Sequence, residues 1–421
     1  MAQIRPFAAI RYDEKVVGKL SDVTSPPYDV ISPEDRTYYH QLHPNNFVRL
    51  VLGEELPGDD DSSNRFIRAG EYLDKWLEQG VLKRDEQPSI YVYQMIFEAD
   101  GAIKSVRGFT VATKLQEYSE EVILPHENTL ARPKSDLAVL IRQVKANLDC
   151  IYGLYADSQF KLDAIMEKAM TETPIEEAID KNGIINRLWA ITDAGEIAKV
   201  AAFMSDKQIA IADGHHRYET ALAYRNEMRE KTGGAGEYDY VMMTLVNVFE
   251  KDMTIYPTHR VLGNLSSDAL DSLDSNLADA FEIRASSKAR LIEHMAKENA
   301  IGMYSAGGAL LLVPRAGIES QIEGSEASRN LELNVLHKLI LEKHLGIGEE
   351  KLRNQAHIIY TRDPEEAFKM VDSNERQVAF FVNHIAVKSV LDIAAAGEKM
   401  PQKATYFFPK LLSGLALRKL D

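Results

Sequence analysis

A chain of 421 residues, 45% hydrophobic and 27% charged, has the balance of a soluble globular protein and the length of two or three domains. Its net charge of -15 argues against a non-specific nucleic-acid binder or a binder of anionic membranes, since both need a basic surface; a local basic pocket is still allowed. The one cysteine, Cys150, excludes an intramolecular disulfide framework and any multi-cysteine zinc or iron–sulfur site.

The opening Met-Ala-Gln-Ile-Arg-Pro has no hydrophobic signal core, and no apolar run reaches spanning length, so a cytoplasmic protein is expected. Ile4 to Ile10 reads as a strand, and Ser25-Pro-Pro-Tyr-Asp-Val30 as a turn. A helix should start at Ser32, where Pro33 suits the first helical position. Glu54 to Ser63 is acidic and reads as an exposed loop. Phe66, Ala69, Leu73, Trp76 and Leu77 share one helical face, with Gly80 as the stop. Tyr91 to Phe97 and Val106 to Val111 flank Asp100-Gly101, a strong hairpin signal.

Glu121 to Thr129 reads as a strand end or loop that carries Pro125-His126-Glu127. A helix follows from about Lys134, and Cys150 at the end of its apolar stripe is expected to be a packed, inert thiol. Ile151 to Tyr155 is strand-like, and Gln159 to Phe203 reads as helix, strand (Leu188 to Ile191) and helix. The most informative stretch is Ile209-Ala-Ile-Ala-Asp213-Gly-His-His-Arg217, where an apolar strand stops at an Asp-Gly turn and a helix begins. Backbone N–H groups at a helix start attract anions, and His and Arg side chains add charged donors. The cluster therefore points to bound phosphate or a metal. Gly214 permits close backbone approach, and His215, His216 and Arg217 would contact phosphate oxygens, with Asp213 a general base or metal partner.

Gly233-Gly234 ends that helix, and Tyr240 to Asn247 is apolar enough for a strand buried on both faces. Thr258-His259-Arg260 follows. Tyr28 and Asp29 could reach a site or close a loop. Beyond Ser266 helices and strands alternate, with a helix near Leu331 to His344 and a strand from Val378 to Asn383. Pro401 to Lys410 reads as a polar–aromatic loop in which Gln402, Lys403 and Thr405 are phosphate- or base-contacting candidates, and a short helix is expected after it. A carboxylate near bound phosphate can take a proton from a hydroxyl nucleophile, which makes Glu127 a candidate base beside His126, with Arg132 and Lys134 just downstream. The fold class expected is mixed, α/β to α+β, in three regions: 1–120, a core over 121–262 with both motifs, and 263–421.

Several of these runs resemble a known family. Arg5-Pro-Phe, Ser25-Pro-Pro-Tyr-Asp-Val-Ile-Ser-Pro-Glu34, Leu124-Pro-His-Glu-Asn-Thr, Ala212-Asp-Gly-His-His-Arg-Tyr-Glu-Thr-Ala221, Pro257-Thr-His-Arg and Met400-Pro-Gln-Lys-Ala-Thr-Tyr-Phe-Phe-Pro-Lys look like the bacterial domain-of-unknown-function 1015 family. Ala404 stands where that family's closing motif is expected to have Ser. More distantly, Pro125-His126-Glu127 and Asp213-Gly214-His215-His216-Arg217, in that order, are similar to the two motifs of the free L-serine kinases of the ParB/sulfiredoxin-like superfamily. That resemblance implies a ParB/sulfiredoxin-like core over 121–262, with residues from about Asp157 to Ala202 inserted between the motifs. It implies Glu127 as catalytic base, Asp213 as an essential acid and Gly214 to Arg217 as a phosphate cradle, with Mg²⁺ and ATP or ADP as cofactors.

The leading expectation is a nucleotide-dependent kinase of a small hydroxylated metabolite such as free serine. His126 would assist Glu127 and Asp213, and Thr258, His259, Arg260 and Lys403 would join the nucleotide site. Expected partners are the nucleotide and the small-molecule substrate, with a homodimer compatible and neither membrane nor nucleic acid. Two alternatives stay open: a metal-dependent phosphoesterase, with Asp213, His215 and His216 as ligands and His126 or His259 as a further candidate, and a non-catalytic nucleotide-sensing regulator.

Overall fold

The computed structural model describes residues 1–127, 131–354 and 356–421. The chain forms two compact units. The first comprises residues 1–125, 129–254 and 409–421; the second comprises residues 126–128 and 255–408. Each combines sheet and helix, which gives the mixed α/β class expected.

Among the described residues, the first unit is built on a nine-stranded mixed sheet. The hairpin Ile90–Ala99 and Ala102–Lys114 turns at Asp100 and Gly101, both with positive φ, as a tight Asp-Gly hairpin requires. Tyr240–Asn247 runs antiparallel to the second hairpin strand and parallel to Ile151–Tyr155, and all but its first residue are buried. Ile209–Asp213 lies antiparallel to Ile151–Tyr155 and parallel to the short strand Ile123–Leu124. Strands from both sides of residue 120 therefore share one sheet, which is why the division into three consecutive regions is not how the contacts group. The segment read as inserted adds to this sheet as well: its strands Glu176–Ile179 and Ile185–Ile191 extend the far edge.

Helices cover the sheet as their caps and stripes direct. Ser32 accepts from the Asp35 N–H and Pro33 opens the helix Pro33–Leu42. Asn64 caps Arg65–Glu78, whose buried face is Ala69, Leu73 and Trp76. The helix Ala131–Val144 packs on Arg65–Glu78 and on His215–Thr232. The last helix ends at Gly233 in the left-handed conformation.

Among its described residues, the second unit holds a six-stranded antiparallel sheet in the order Phe281–Ser286, Gly308–Pro314, Ile301–Ser305, Val378–Phe381, His259–Leu262, Ile358–Thr361. Val261, Leu291, Phe368 and Phe381 are in its core. The helix expected near Leu331 to His344 is α only over Glu332–Val335 and continues as a π-helix over Leu336–Glu342.

One local expectation is corrected. No helix closes the chain. Gly414 has φ +99, and the segment around it runs extended. Ser413 exchanges backbone hydrogen bonds with Ser25, Leu417 does so with Ile10, and Arg418 pairs with Asn147. These long-range pairings within the first unit outweigh local helix propensity. No helix among the described residues is long and apolar enough to cross a membrane.

Two glycines let strands of the first sheet pack closely around Leu245. A Cβ on Gly108 would lie 2.3 Å from the Leu245 carbonyl oxygen, and one on Gly153 2.7 Å from Leu245 Cδ2. Gly108→Ala is expected to destabilise the protein by about 1–3 kcal/mol, because a backbone atom cannot move aside as a side chain can. Urea denaturation checks this, and an unchanged midpoint would contradict the packing described.

Candidate functional site

The turn after Ile209–Asp213 is built for close approach. Gly214 caps the following helix with φ 96, and a Cβ there would lie 3.0 Å from Arg217 Nε. A side chain would also be strained at that φ. Glycine thus lets Arg217 fold back over the turn. The Arg217 guanidinium donates to Asp213 Oδ2 at 2.6 Å and to the Cys150 carbonyl. Lys410 Nζ donates to the other oxygen, Asp213 Oδ1, at 2.8 Å. The first intrahelical bond runs from the Tyr218 N–H to the Gly214 carbonyl, so the N–H groups of His215, His216 and Arg217 precede the helix's own ladder.

The electrostatics follow from burial and pairing. Burial pushes the Asp213 carboxyl up, but Lys410 and Arg217 outweigh it and hold the group well below the usual carboxylate range. Burial works against the Arg217 charge, and Asp213, Asp29 and Asp149 more than restore it. A carboxylate held this low is a weak proton acceptor. Its work here is to fix two cations, one from the helix start and one from the C-terminal segment. Burial raises Asp149, against the pull of Arg217, and burial raises the Tyr28 phenol. The Cys150 thiol is pushed up to about 11 by burial, in keeping with an inert thiol.

Beside the turn a cleft of about 520 Å³ opens against the helix Ala131–Val144. Tyr28, Asp149, Arg217 and Thr220 line it with Val51 and Leu140. A second hollow of about 710 Å³ shares Tyr28, Val51, Leu137 and Leu140 with it. Tyr28 therefore does reach the neighbourhood of Arg217, and Asp29 is felt there through its charge.

The remaining expected residues gather in the second unit. Glu127 Oε1 accepts from the backbone N–H groups of Ala404 (3.1 Å) and Thr405 (3.2 Å) and from the Thr405 hydroxyl (3.3 Å). The Thr405 oxygen lies 2.9 Å from Nε2 of the fully buried His126. With the hydroxyl donating to Glu127, that oxygen is left to accept from the imidazole. Lys403 has φ 55, and this left-handed residue turns successive N–H groups toward the carboxylate, as in an anion-binding nest. Arg260 holds the same loop from behind. Its guanidinium donates to the carbonyls of Gln402 (3.3 Å), Lys403 (3.1 Å) and Thr258. It is wholly buried, and burial pulls it down to about 10. His259 is buried too, which lowers it to about 4, and its Nδ1 accepts from the Val382 N–H at 3.3 Å.

The residues read from sequence thus fall into two groups. Asp213, Gly214, His215, His216 and Arg217 belong to the first unit, and His126, Glu127, Thr258, His259, Arg260 and Lys403 to the second. Asn128 and Thr129, and the side chains of Arg132 and Lys134, lie outside the described residues. Sequence reasoning missed Lys410, Asp149 and Thr220. Lys410 closes the Met400-to-Lys410 run, so its place in that motif was the available signal. Thr220 likewise lies within the Ala212-to-Ala221 run, whereas Asp149 carried no signal. The ligand set of the phosphoesterase alternative is not gathered: among the described residues no group of three or more His, Cys, Asp or Glu is placed to hold a metal.

Residues 4–336 match the model of a family described as "Protein of unknown function (DUF1015)". No curated protein matches the chain. Among solved structures, a conserved hypothetical protein from Pyrococcus furiosus aligns at 13% identity and a TM-score of 0.37, over 70% of this chain and 92% of its own. A free serine kinase in complex with AMP aligns at 12% identity and 0.37, over 71% and 88%. SbnI with C-terminal truncation, from Staphylococcus aureus, aligns at 12% and 0.38, over 72% and 86%. Likenesses this distant say nothing of the chemistry of this chain.

The Asp213 clasp has a signed pH dependence. Its folded pKa lies below the unfolded value of about 3.9, so its contribution to stability is present above that value and is lost as pH falls through the folded one. Asp213→Asn should cost on the order of 3 kcal/mol at neutral pH by leaving two buried cations underpaired. The gap from wild type should narrow below about pH 4. Urea denaturation across pH reads this, and a gap that widens toward acid would refute the clasp.

Proposed function

The chain belongs to the DUF1015 family, and we propose that it is a nucleotide-dependent phosphotransferase acting on the hydroxyl of a small metabolite, with free serine the first candidate. The observation that supports this most is the Asp213–Arg217 turn. A left-handed glycine, the early N–H groups of an 18-residue helix and two cations fixed by one carboxylate meet there beside a cleft. Such a turn favours the oxygens of a phosphate chain.

In this reading the turn grips the nucleotide phosphates. Lys410 and Arg217 supply positive charge, and Asp213 keeps both in place as the essential acid. Glu127 is assigned the acceptor step on its Pro125-His126-Glu127 motif. The acceptor oxygen bonds to the terminal phosphorus while its proton passes to Glu127. The bond from that phosphorus to the bridging oxygen breaks, and the shortened nucleotide leaves with the electron pair. The three donors on Glu127 Oε1 fix the carboxylate's orientation, and Arg260 acts as a positioning residue by holding the loop that provides all three.

ATP or ADP and Mg²⁺ are the cofactors this reading calls for. The turn does not fit a resident Mg²⁺ cage, because a cation occupies each oxygen of Asp213.

Glu127→Gln is expected to lower turnover by about 10²–10⁴-fold and to spare nucleotide binding. Arg217→Ala is expected to weaken nucleotide binding. A thermal-shift screen of nucleotides with Mg²⁺, followed by a pooled-metabolite phosphorylation assay, measures both. Unchanged turnover in Glu127→Gln would sink the assignment. A nucleotide that binds but is never consumed across a broad acceptor panel would point to a sensing protein instead.

A further inference from the structure

Two polar atoms in the first unit are buried without a hydrogen-bond partner and belong to residues that line the same cleft. They are Asp149 Oδ1 and Thr220 Oγ1. Thr220 is only 6% exposed. Buried polar groups are rarely left unpaired in a folded protein, and a pair of them in one cleft marks groups kept for a ligand. The surrounding walls are apolar: Val51, Leu140 and Val144 contribute aliphatic side chains, and Tyr28 a ring. Arg217, whose guanidinium closes the Asp213 turn, lines the cleft as well.

We propose that this cleft seats the base of the nucleotide, with Asp149 and Thr220 reading the base edge and the aliphatic walls covering its faces. The inference rests on the nucleotide reading given above and adds to it the residues that distinguish a nucleotide from bare polyphosphate. A nucleobase has flat apolar faces and an edge on which N–H donors alternate with ring-nitrogen or carbonyl acceptors. Asp149 Oδ1 accepts from such an N–H, and the Thr220 hydroxyl donates to the neighbouring acceptor. Other ligands match the cleft less well. A free phosphate would meet the Asp149 carboxyl, and a purely aliphatic molecule would leave both polar atoms unpaired. Arg217 both lines this cleft and closes the Asp213 turn, so base and phosphates would belong to one bound molecule.

The test is calorimetric titration of the full chain with adenosine, guanosine, cytidine and uridine, and separately with inorganic pyrophosphate. At least one nucleoside should bind wild type. Thr220→Val, which keeps the shape and removes the hydroxyl, should weaken that nucleoside about tenfold and leave pyrophosphate unchanged. Thr220→Ser should retain binding, and Asp149→Asn should weaken the nucleoside or change which one is preferred. Pyrophosphate binding with no nucleoside binding overturns the base seat and leaves the phosphate grip standing. A nucleoside that binds and responds to Thr220→Val while pyrophosphate does not bind supports the base seat and overturns the grip. Equal loss of both ligands in Thr220→Val, or no loss of either, makes Thr220 a packing residue and overturns the inference. A chain that binds neither ligand overturns both readings.

Discussion

The first unit depends on how one carboxylate is shared. Asp213 is the last residue of a buried strand, and a lone charge there would be expensive to desolvate. Each of its oxygens takes a separate cation, Arg217 from four residues on and Lys410 from 197 residues on. The first contact shapes the turn and the second ties the C-terminal segment to it. Because Arg217 also donates to the Cys150 carbonyl, the neighbouring strand is held in the same clasp. The left-handed Gly214 is the condition for all of this, since a side chain there would occupy the space of the guanidinium.

The second unit solves a similar problem with the signs reversed. Arg260 is a buried guanidinium that donates to three carbonyls. Carbonyl dipoles take up donors of its two terminal nitrogens, while Nε is buried without a partner, and none of this neutralises the charge, so burial draws its pKa down. The gain is geometric. With the carbonyls of Gln402 and Lys403 turned to Arg260, the next two N–H groups turn to Glu127. A carboxylate held by backbone N–H groups keeps its orientation whatever side chain occupies position 404, so Ala404 in place of an expected Ser leaves the clip intact. The hydroxyl in contact with both His126 and Glu127 comes from Thr405.

What was legible in the sequence was what is local. The Asp100-Gly101 hairpin, the Ser32–Pro33 helix start, the doubly buried Tyr240–Asn247 strand and the strand-to-helix turn at Asp213 each depend on residues a few positions apart. What was not legible depends on distance along the chain. Glu176, which opens the edge strand Glu176–Ile179, is held by Arg11 from 165 residues away. The closing segment is extended because Ser25, Ile10 and Asn147 bind its backbone. Lys410 could be seen as part of a motif, but its partner could not. The π-helix at Leu336–Glu342 left no mark in its apolar pattern, because that pattern would serve an α-helix equally well.

The same limit governs the chemistry at the turn. Acid, glycine, two imidazoles and a guanidinium in sequence fit a metal site or a phosphate site, since both need these donors. The choice depends on which lone pairs are already taken, and that is a property of the fold. Once Lys410 and Arg217 occupy both oxygens of Asp213, the carboxylate no longer offers a vacant oxygen for a metal to take without displacing a cation. The turn then carries the fixed positive charge of Arg217 and Lys410 beside that carboxylate. A lysine 197 residues along the chain therefore decides which lone pairs of the turn are already taken, with the motif itself unchanged.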